Sequence, residues 1–288
     1  MDARQLIVLA LQVSIVGTVF SFGLTATRAD FRYLFDRPGL LFRSLLAVLV
    51  ITPLMAIVLV QVFEFQRAAQ IALVALAISP LPPLLPRKES RVVGNASYGL
   101  ALMALLALLS IVTVPISIKV LEQVVVGRPL NVPLAAIARM VSVAVLLPLL
   151  VGVTVRAKLP AVAERIQPVI TRVANILLIL AAVALFAGMW RAILGAIGGG
   201  AVGAMVVFVV LALAIGDLLG QPEREHSIVL ALSAASHHPA IALAIASANL
   251  PNEQIAGTIL LYLLVNLMLG GLYIAWQHRS ARSSIVST

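Results

Sequence analysis

Apolar residues fall into long runs separated by short clusters of charge, proline or glycine, and nine of these runs approach or exceed the ~20 residues needed to cross a hydrocarbon core as a helix. The expected spans are Leu6–Phe22, Gly39–Phe63, Ala68–Val93, Asn95–Val120, Pro133–Val155, Gln167–Trp190, Gly195–Leu219, Glu225–Asn249 and Glu253–Gln277. Two are interrupted near the middle. The third carries Pro80, Pro82, Pro83 and Pro86 within seven residues, and the eighth carries Ser236-His237-His238-Pro239. An unsatisfied backbone amide costs several kcal/mol in lipid, so irregular chain at membrane depth persists only where it is buried in protein or lines a cavity. A pair of such interruptions at matching positions predicts a transporter's binding site.

The first span is read as a retained helix rather than a cleaved signal peptide, on its length and the basic loop that follows it. Orientation follows from the lysines and arginines. With the N-terminus outside and the C-terminus inside, Arg28, Arg32, Arg37, Arg43, Arg87, Lys88, Arg91, Arg156, Lys158, Arg165, Arg172, Arg224, Arg279 and Arg282 lie at inner ends. Only Arg4, Arg67, Lys119, Arg128, Arg139 and Arg191 lie at outer ends. The two broken spans then run in opposite directions. Spans one to four match six to nine in inverted order, with the fifth opening the second half, so one transmembrane domain over 1–288 divides into halves of about 1–130 and 131–288. At 1.5 Å per residue, His237 lies about 18 Å from the inner end of its span and Pro80 a similar distance from the outer end of its own. Both breaks are expected near the midplane.

Composition agrees with an all-α polytopic membrane protein: 62% hydrophobic and 11% charged residues, with a mean hydropathy of +1.12. A net charge of +9 raises the question of nucleic acid, but the basic residues punctuate apolar spans instead of forming one face, so the lipid bilayer is the expected partner and nucleic acid is not. The absence of cysteine removes disulfides, thiolate metal sites and a cysteine nucleophile. No HExxH, GxSxG or Walker A sequence occurs, and adjacent histidines on a helix point about 100° apart with no third ligand in view, so neither an enzyme, a metal site nor a cofactor is expected.

Pro86 and Pro239 suit the first turn of a second half-helix, where a missing amide does no harm, with Ser236 or His238 as the cap. Two half-helix N-termini at the midplane, each carrying roughly half a positive charge, favour an anion. His237 or His238 is then placed to bind a carboxylate or to take up a proton. Asn95 and Ser97 stand at the start of the fourth span as caps or binding groups. Asn175 is expected to hydrogen-bond between helices, and Gly195, Gly198, Gly199, Gly200 and Gly203 to permit close packing.

Three segments resemble the bile acid:sodium symporter family: Gly23-Leu-Thr-Ala-Thr-Arg-Ala-Asp30-Phe31 with Arg37-Pro38, Arg91-Val-Val-Gly94-Asn95-Ala with Pro115, and His237-His-Pro-Ala-Ile-Ala-Leu-Ala-Ile-Ala246. The likeness runs over nearly the whole chain. It implies a panel domain of spans one, five and six moving against a core of spans two to four and seven to nine, with the broken helices crossing at the substrate. It also implies transport of an organic anion: a bile acid, another steroid-like or sulphated anion, or a small carboxylate such as pantothenate or a keto acid.

The family's sodium ligands are not matched. Its first-break serine and asparagine align with Leu85 and Pro86, its second-break glutamate with Ser233, its glutamine with His237 and the next asparagine with His238. Asn266 aligns with an asparagine near the family's substrate cavity, or serves as an interhelical hydrogen bond. Leu85 offers no side-chain oxygen and no carboxylate lies mid-span, the nearest being Asp217 close to an inner end. Coupling is therefore expected from a proton in preference to sodium. A second reading keeps the fold without the flux: a membrane receptor or scaffold that binds a small molecule and no longer cycles. The expected location is a cell membrane, in a bacterium the inner membrane.

Overall fold

The computed structural model describes residues 3–63, 67–79, 95–121, 134–198, 200–239, 242–243 and 253–286. Every regular element among the described residues is a helix. Helix α1 covers Ala3–Gly23, α2 Arg28–Arg32, α3 Pro38–Val62, α4 Arg67–Ala77, α5 Ala96–Leu121, α6 residues 134–158, α7 Pro160–Ala196, α8 Ala201–Gly220, α9 Arg224–Ala235 and α10 Glu253–Val286. Among the described residues seven helices are long and apolar enough to cross a membrane. With the apolar exterior, this is an all-α polytopic membrane protein. Helices α4 and α9, of 11 and 12 residues, are too short to span alone. They fall in the third and eighth expected spans. Helix α4 gives way to a turn at Ile78–Ser79, just ahead of Pro80, and α9 stops at Ser236.

Local chemistry sets the helix starts. Thr27 and Asp30 form a reciprocal capping box at α2, Pro38 and Pro160 stand at the first positions of α3 and α7, and Asn95 Oδ1 accepts from the Tyr98 amide at 2.9 Å to cap α5. Helices α3 and α6 each contain a π turn, Leu46–Ile51 and Ser142–Leu146, immediately upstream of Pro53 and Pro148. The amides of Thr52 and Leu147 bond five residues back, to Ala47 and Ser142. The wider turn accommodates a ring that would otherwise meet the preceding turn.

Helices α1, α6 and α7 pack on one another, α8, α9 and α10 form a second group that α4 joins through α10 and α3 through α4, and α7 packs along α10 to join the two groups. Glycine permits the closest contacts. A Cβ on Gly216 would lie 2.4 Å from Ala231 Cα, and one on Gly220 would lie 2.3 Å from Ser227 Cα, so α8 and α9 meet backbone to backbone. Gly23 and Gly152 do the same for α1 and α6.

Four expectations differ from the structure. The sixth span is not Gln167–Trp190 but the whole of α7, because Pro160 opens the helix and Pro168 is carried inside it. The seventh starts at Ala201 rather than Gly195; Gly200, at φ 77°, turns the chain between α7 and α8. Gly195 and Gly203 have open space where a Cβ would stand, so they do not provide close packing, and Asn175 is exposed on α7 rather than set between helices. The helical phase of each position, which a run of small residues does not reveal, decides both outcomes.

Candidate functional site

The last ten residues of α9, His226 to Ala235, are all buried, and the chain then leaves the helix at Ser236 with φ −106° and ψ 129°. Helical bonding resumes beyond the break: the His238 carbonyl accepts from the Ala242 amide at 3.1 Å, which makes His238 the capping residue and Pro239 the first position of the next turn. Pro239 also fixes what happens upstream. In a continuous helix the Ala235 carbonyl would accept from the amide of residue 239, and proline has none. The Tyr262 hydroxyl, reaching across from α10, donates to that carbonyl at 2.5 Å.

Tyr262 also contacts His237, whose Nδ1 lies 2.7 Å from the phenolic oxygen. The imidazole sits between aromatic rings, 5.6 Å from Phe208 of α8 and 5.9 Å from Tyr262 by centroid. His237 is 2% exposed and His238 5%. His237 Nε2 and His238 Nδ1 have no hydrogen-bond partner among the described residues. Asn266 Nδ2 donates to Ser236 Oγ at 3.4 Å, and Ser233 is buried one turn before the break. Ser233, Ser236, His237, His238, Pro239 and Asn266 thus form one neighbourhood. Pro80, Pro82, Pro83 and Pro86, with Leu85, lie outside the described residues.

Asn95 and Ser97 belong to a different group at the end of the molecule where α9 begins. Asn95 Nδ2 donates to the Tyr33 hydroxyl at 3.0 Å, Tyr33 meets His226 Nε2 at 2.6 Å, and His226 Nδ1 meets Glu223 at 2.8 Å. Ser97 donates to Asp30, and Arg37 stacks over the Tyr33 ring at 4.0 Å. Burial pushes the Tyr33 phenol above its ordinary range, more than the nearby Arg37 lowers it. It therefore stays protonated and donates to His226 while accepting from Asn95. At the same end, Asp217 accepts from Tyr273 and from Gln277 Nε2, and Arg224 Nε donates to Gln277 Oε1 at 3.1 Å. Arg43 donates to the Gln221 carbonyl.

Sequence reasoning missed Tyr262, Tyr33, His226 and Glu223. The available signal was tyrosine itself: the chain has four, and Tyr33, Tyr98, Tyr262 and Tyr273 each place the hydroxyl on a polar atom distant in sequence. A phenol in the interior of an apolar span has to find such a partner.

A search of the curated proteins finds no match. Comparison with protein-family models matches residues 12–196 to the sodium bile acid symporter family, a stretch from α1 to the end of α7 that stops short of the break after α9. Covering well over half of an apolar, all-helical chain, that match establishes that the chain belongs to the sodium bile acid symporter family of membrane transporters.

Proposed function

We propose that this protein carries small organic anions across the membrane by alternating access, binding them at the Ser236–Pro239 break and coupling their movement to a proton instead of sodium. The observation that carries this reading is the pair of buried imidazole nitrogens, His237 Nε2 and His238 Nδ1, left without partners beside interrupted backbone. Buried polar atoms are ordinarily paired, and an unpaired one at a helix break is a group held ready for a ligand. Sodium calls for several oxygens and a compensating negative charge. Among the described residues this neighbourhood offers the hydroxyls of Ser233, Ser236 and Tyr262 and the Asn266 amide but no carboxylate, with histidine where the family has glutamine. A histidine nitrogen, unlike the glutamine amide it replaces, can take up a proton.

The packing of α1 and α6 on α7, and of α8 and α9 on each other and on α10, supports a panel and a core as the moving parts, with α7 meeting α10 where the two would slide and a Cβ on Gly257 lying 2.4 Å from the Ala192 carbonyl oxygen. The cluster of Tyr33, Asn95, Asp217, His226 and Gln277 supports a cytoplasmic assignment for that end, since it gathers ends counted as inner and carries Arg28, Arg32, Arg37 and Arg43.

In proteoliposomes, uptake of a bile acid, a sulphated steroid or a keto acid is expected to accelerate when the outer solution is made acidic and to ignore a sodium gradient. Sodium-driven uptake indifferent to pH would remove the proton assignment. Binding of these anions with neither uptake nor exchange would replace the carrier by a receptor on the same fold.

A further inference from the structure

We infer that Tyr262 is a positioning residue that decides where the coupling proton sits: it holds His237 with hydrogen on Nδ1 and leaves Nε2 as the atom that must be protonated before an anion binds. This rests on the carrier reading and adds to it the atom, the residue that selects it and the order of events.

Pro239 has no amide, so the Ala235 carbonyl lacks its helical donor, and the single hydroxyl hydrogen of Tyr262 is spent on it at 2.5 Å. The phenolic oxygen can then only accept from its other close neighbour, His237 Nδ1 at 2.7 Å, so that nitrogen carries hydrogen. A neutral imidazole has one N–H. Nε2 is therefore a bare lone pair on a side chain that is 2% exposed, with no partner among the described residues.

Such an atom cannot receive an oxyanion, because a lone pair would face a lone pair. Protonation reverses this: Nε2 becomes an N–H donor, the ring becomes cationic, and a charge-assisted hydrogen bond to carboxylate, sulfonate or sulfate forms. The step is simple acid–base binding, with imidazole and a proton giving imidazolium and no other bond changed. Proton and anion each raise the affinity of the other by the same factor. The lone pair does not suit sodium, a hard cation that prefers oxygen.

Among the described residues few other groups reach this ring, the Ala235 backbone carbonyl being one of them. His238 is its neighbour in sequence, and Tyr262 is the titratable side chain that touches it from α10. Helix α8 presents Phe208 there, while its Asp217 meets Ser227. The α5 side chain Tyr98 meets His226. Asp217, Tyr98, Glu223 and Arg224 are thus all at the level of residues 223–227, about 15 Å along the helix axis from His237.

The test uses the full chain in lipid nanodiscs with nitrogen-15 histidine, the His237 signals being assigned by their loss in His237→Gln. At pH 7.5 the ring is expected to show Nδ1–H and a bare Nε2, and Tyr262→Phe is expected to move it toward the Nε2–H form. Titration with taurocholate, and separately with pyruvate, is expected to show affinity falling about tenfold per pH unit once pH exceeds the Nε2 titration, with one proton taken up per anion. That dependence disappears in His237→Gln and flattens in Tyr262→Phe, a change that loss of packing alone would not produce. A wild-type ring carrying Nε2–H at neutral pH overturns the inference and leaves the carrier reading intact. A ring carrying Nδ1–H in a protein that shows no flux upholds the Tyr262 assignment and removes the carrier instead. The wild-type spectrum and His237→Gln decide the matter even where Tyr262→Phe fails to fold.

Discussion

Gly216→Ala is expected to destabilise the protein by about 3 kcal/mol, the upper part of the range for an added methyl in a packed interior, while Gly203→Ala on the same helix leaves the melting temperature unchanged. The added Cβ at Gly216 would meet Ala231 Cα at 2.4 Å and the Leu230 carbonyl at 2.5 Å. Both are backbone atoms of α9 that no rotamer change can move aside. Separating α8 from α9 loosens the contacts along the buried His226–Ala235 stretch of α9 and displaces Ser236 and His237 at its end. At Gly203 nothing lies within 4 Å of the added atom. Thermal unfolding of the two variants in one detergent, compared with Gly220→Ala as a second tight position, measures the difference. Equal melting temperatures for Gly203→Ala and Gly216→Ala would contradict the packing described for these helices.

His237→Phe is expected to abolish most proton-driven anion uptake, a fall of about 10- to 100-fold for losing one charge-assisted hydrogen bond worth roughly 1.5–3 kcal/mol, with the protein still folded. Phenylalanine keeps a flat ring against Phe208 and Tyr262, and Tyr262 keeps its bond to the Ala235 carbonyl. What disappears is Nε2. Uptake rates across a range of external pH separate this from a packing defect, which would lower the rate without flattening its pH dependence. Unaltered pH-driven uptake in His237→Phe would show that the proton binds elsewhere.

Most of the fold was legible because a lipid solvent makes simple demands: runs of apolar residues, proline at helix starts and basic residues near helix ends. The fourth span was expected from Asn95 and begins at Ala96 with Asn95 as its cap; the eighth was expected to break at Ser236 and does. Contacts made across helices were much less legible. Gly216 and Gly220 are indistinguishable in sequence from Gly203 on the same helix and from Gly195 on α7, since only the side of the helix on which each stands makes the first two essential and leaves the others idle. The candidate site divides in the same way. Ser236, His237 and His238 announce themselves as polar residues beside a proline in an apolar span. Tyr262, 25 residues further on, becomes part of the site because the carbonyl freed by Pro239 points at it. Asn95 and Ser97, read as cap or ligand, have partners in Tyr33 and Asp30 that no local pattern couples to them.

The proposed carrier requires that the chain interruption at Ser236–His238 face a polar hollow that water enters during the transport cycle. The chain has no cysteine, so Ser236→Cys places a single thiol at that point. A water-soluble, membrane-impermeant methanethiosulfonate is expected to modify it from at least one side of the membrane, and a transported anion is expected to slow the reaction. Ile179→Cys, on the outward face of α7, is the comparison for a lipid-facing position. A Ser236→Cys thiol that reacts no faster than Ile179→Cys from either side, with or without an anion gradient to drive turnover, would contradict the account.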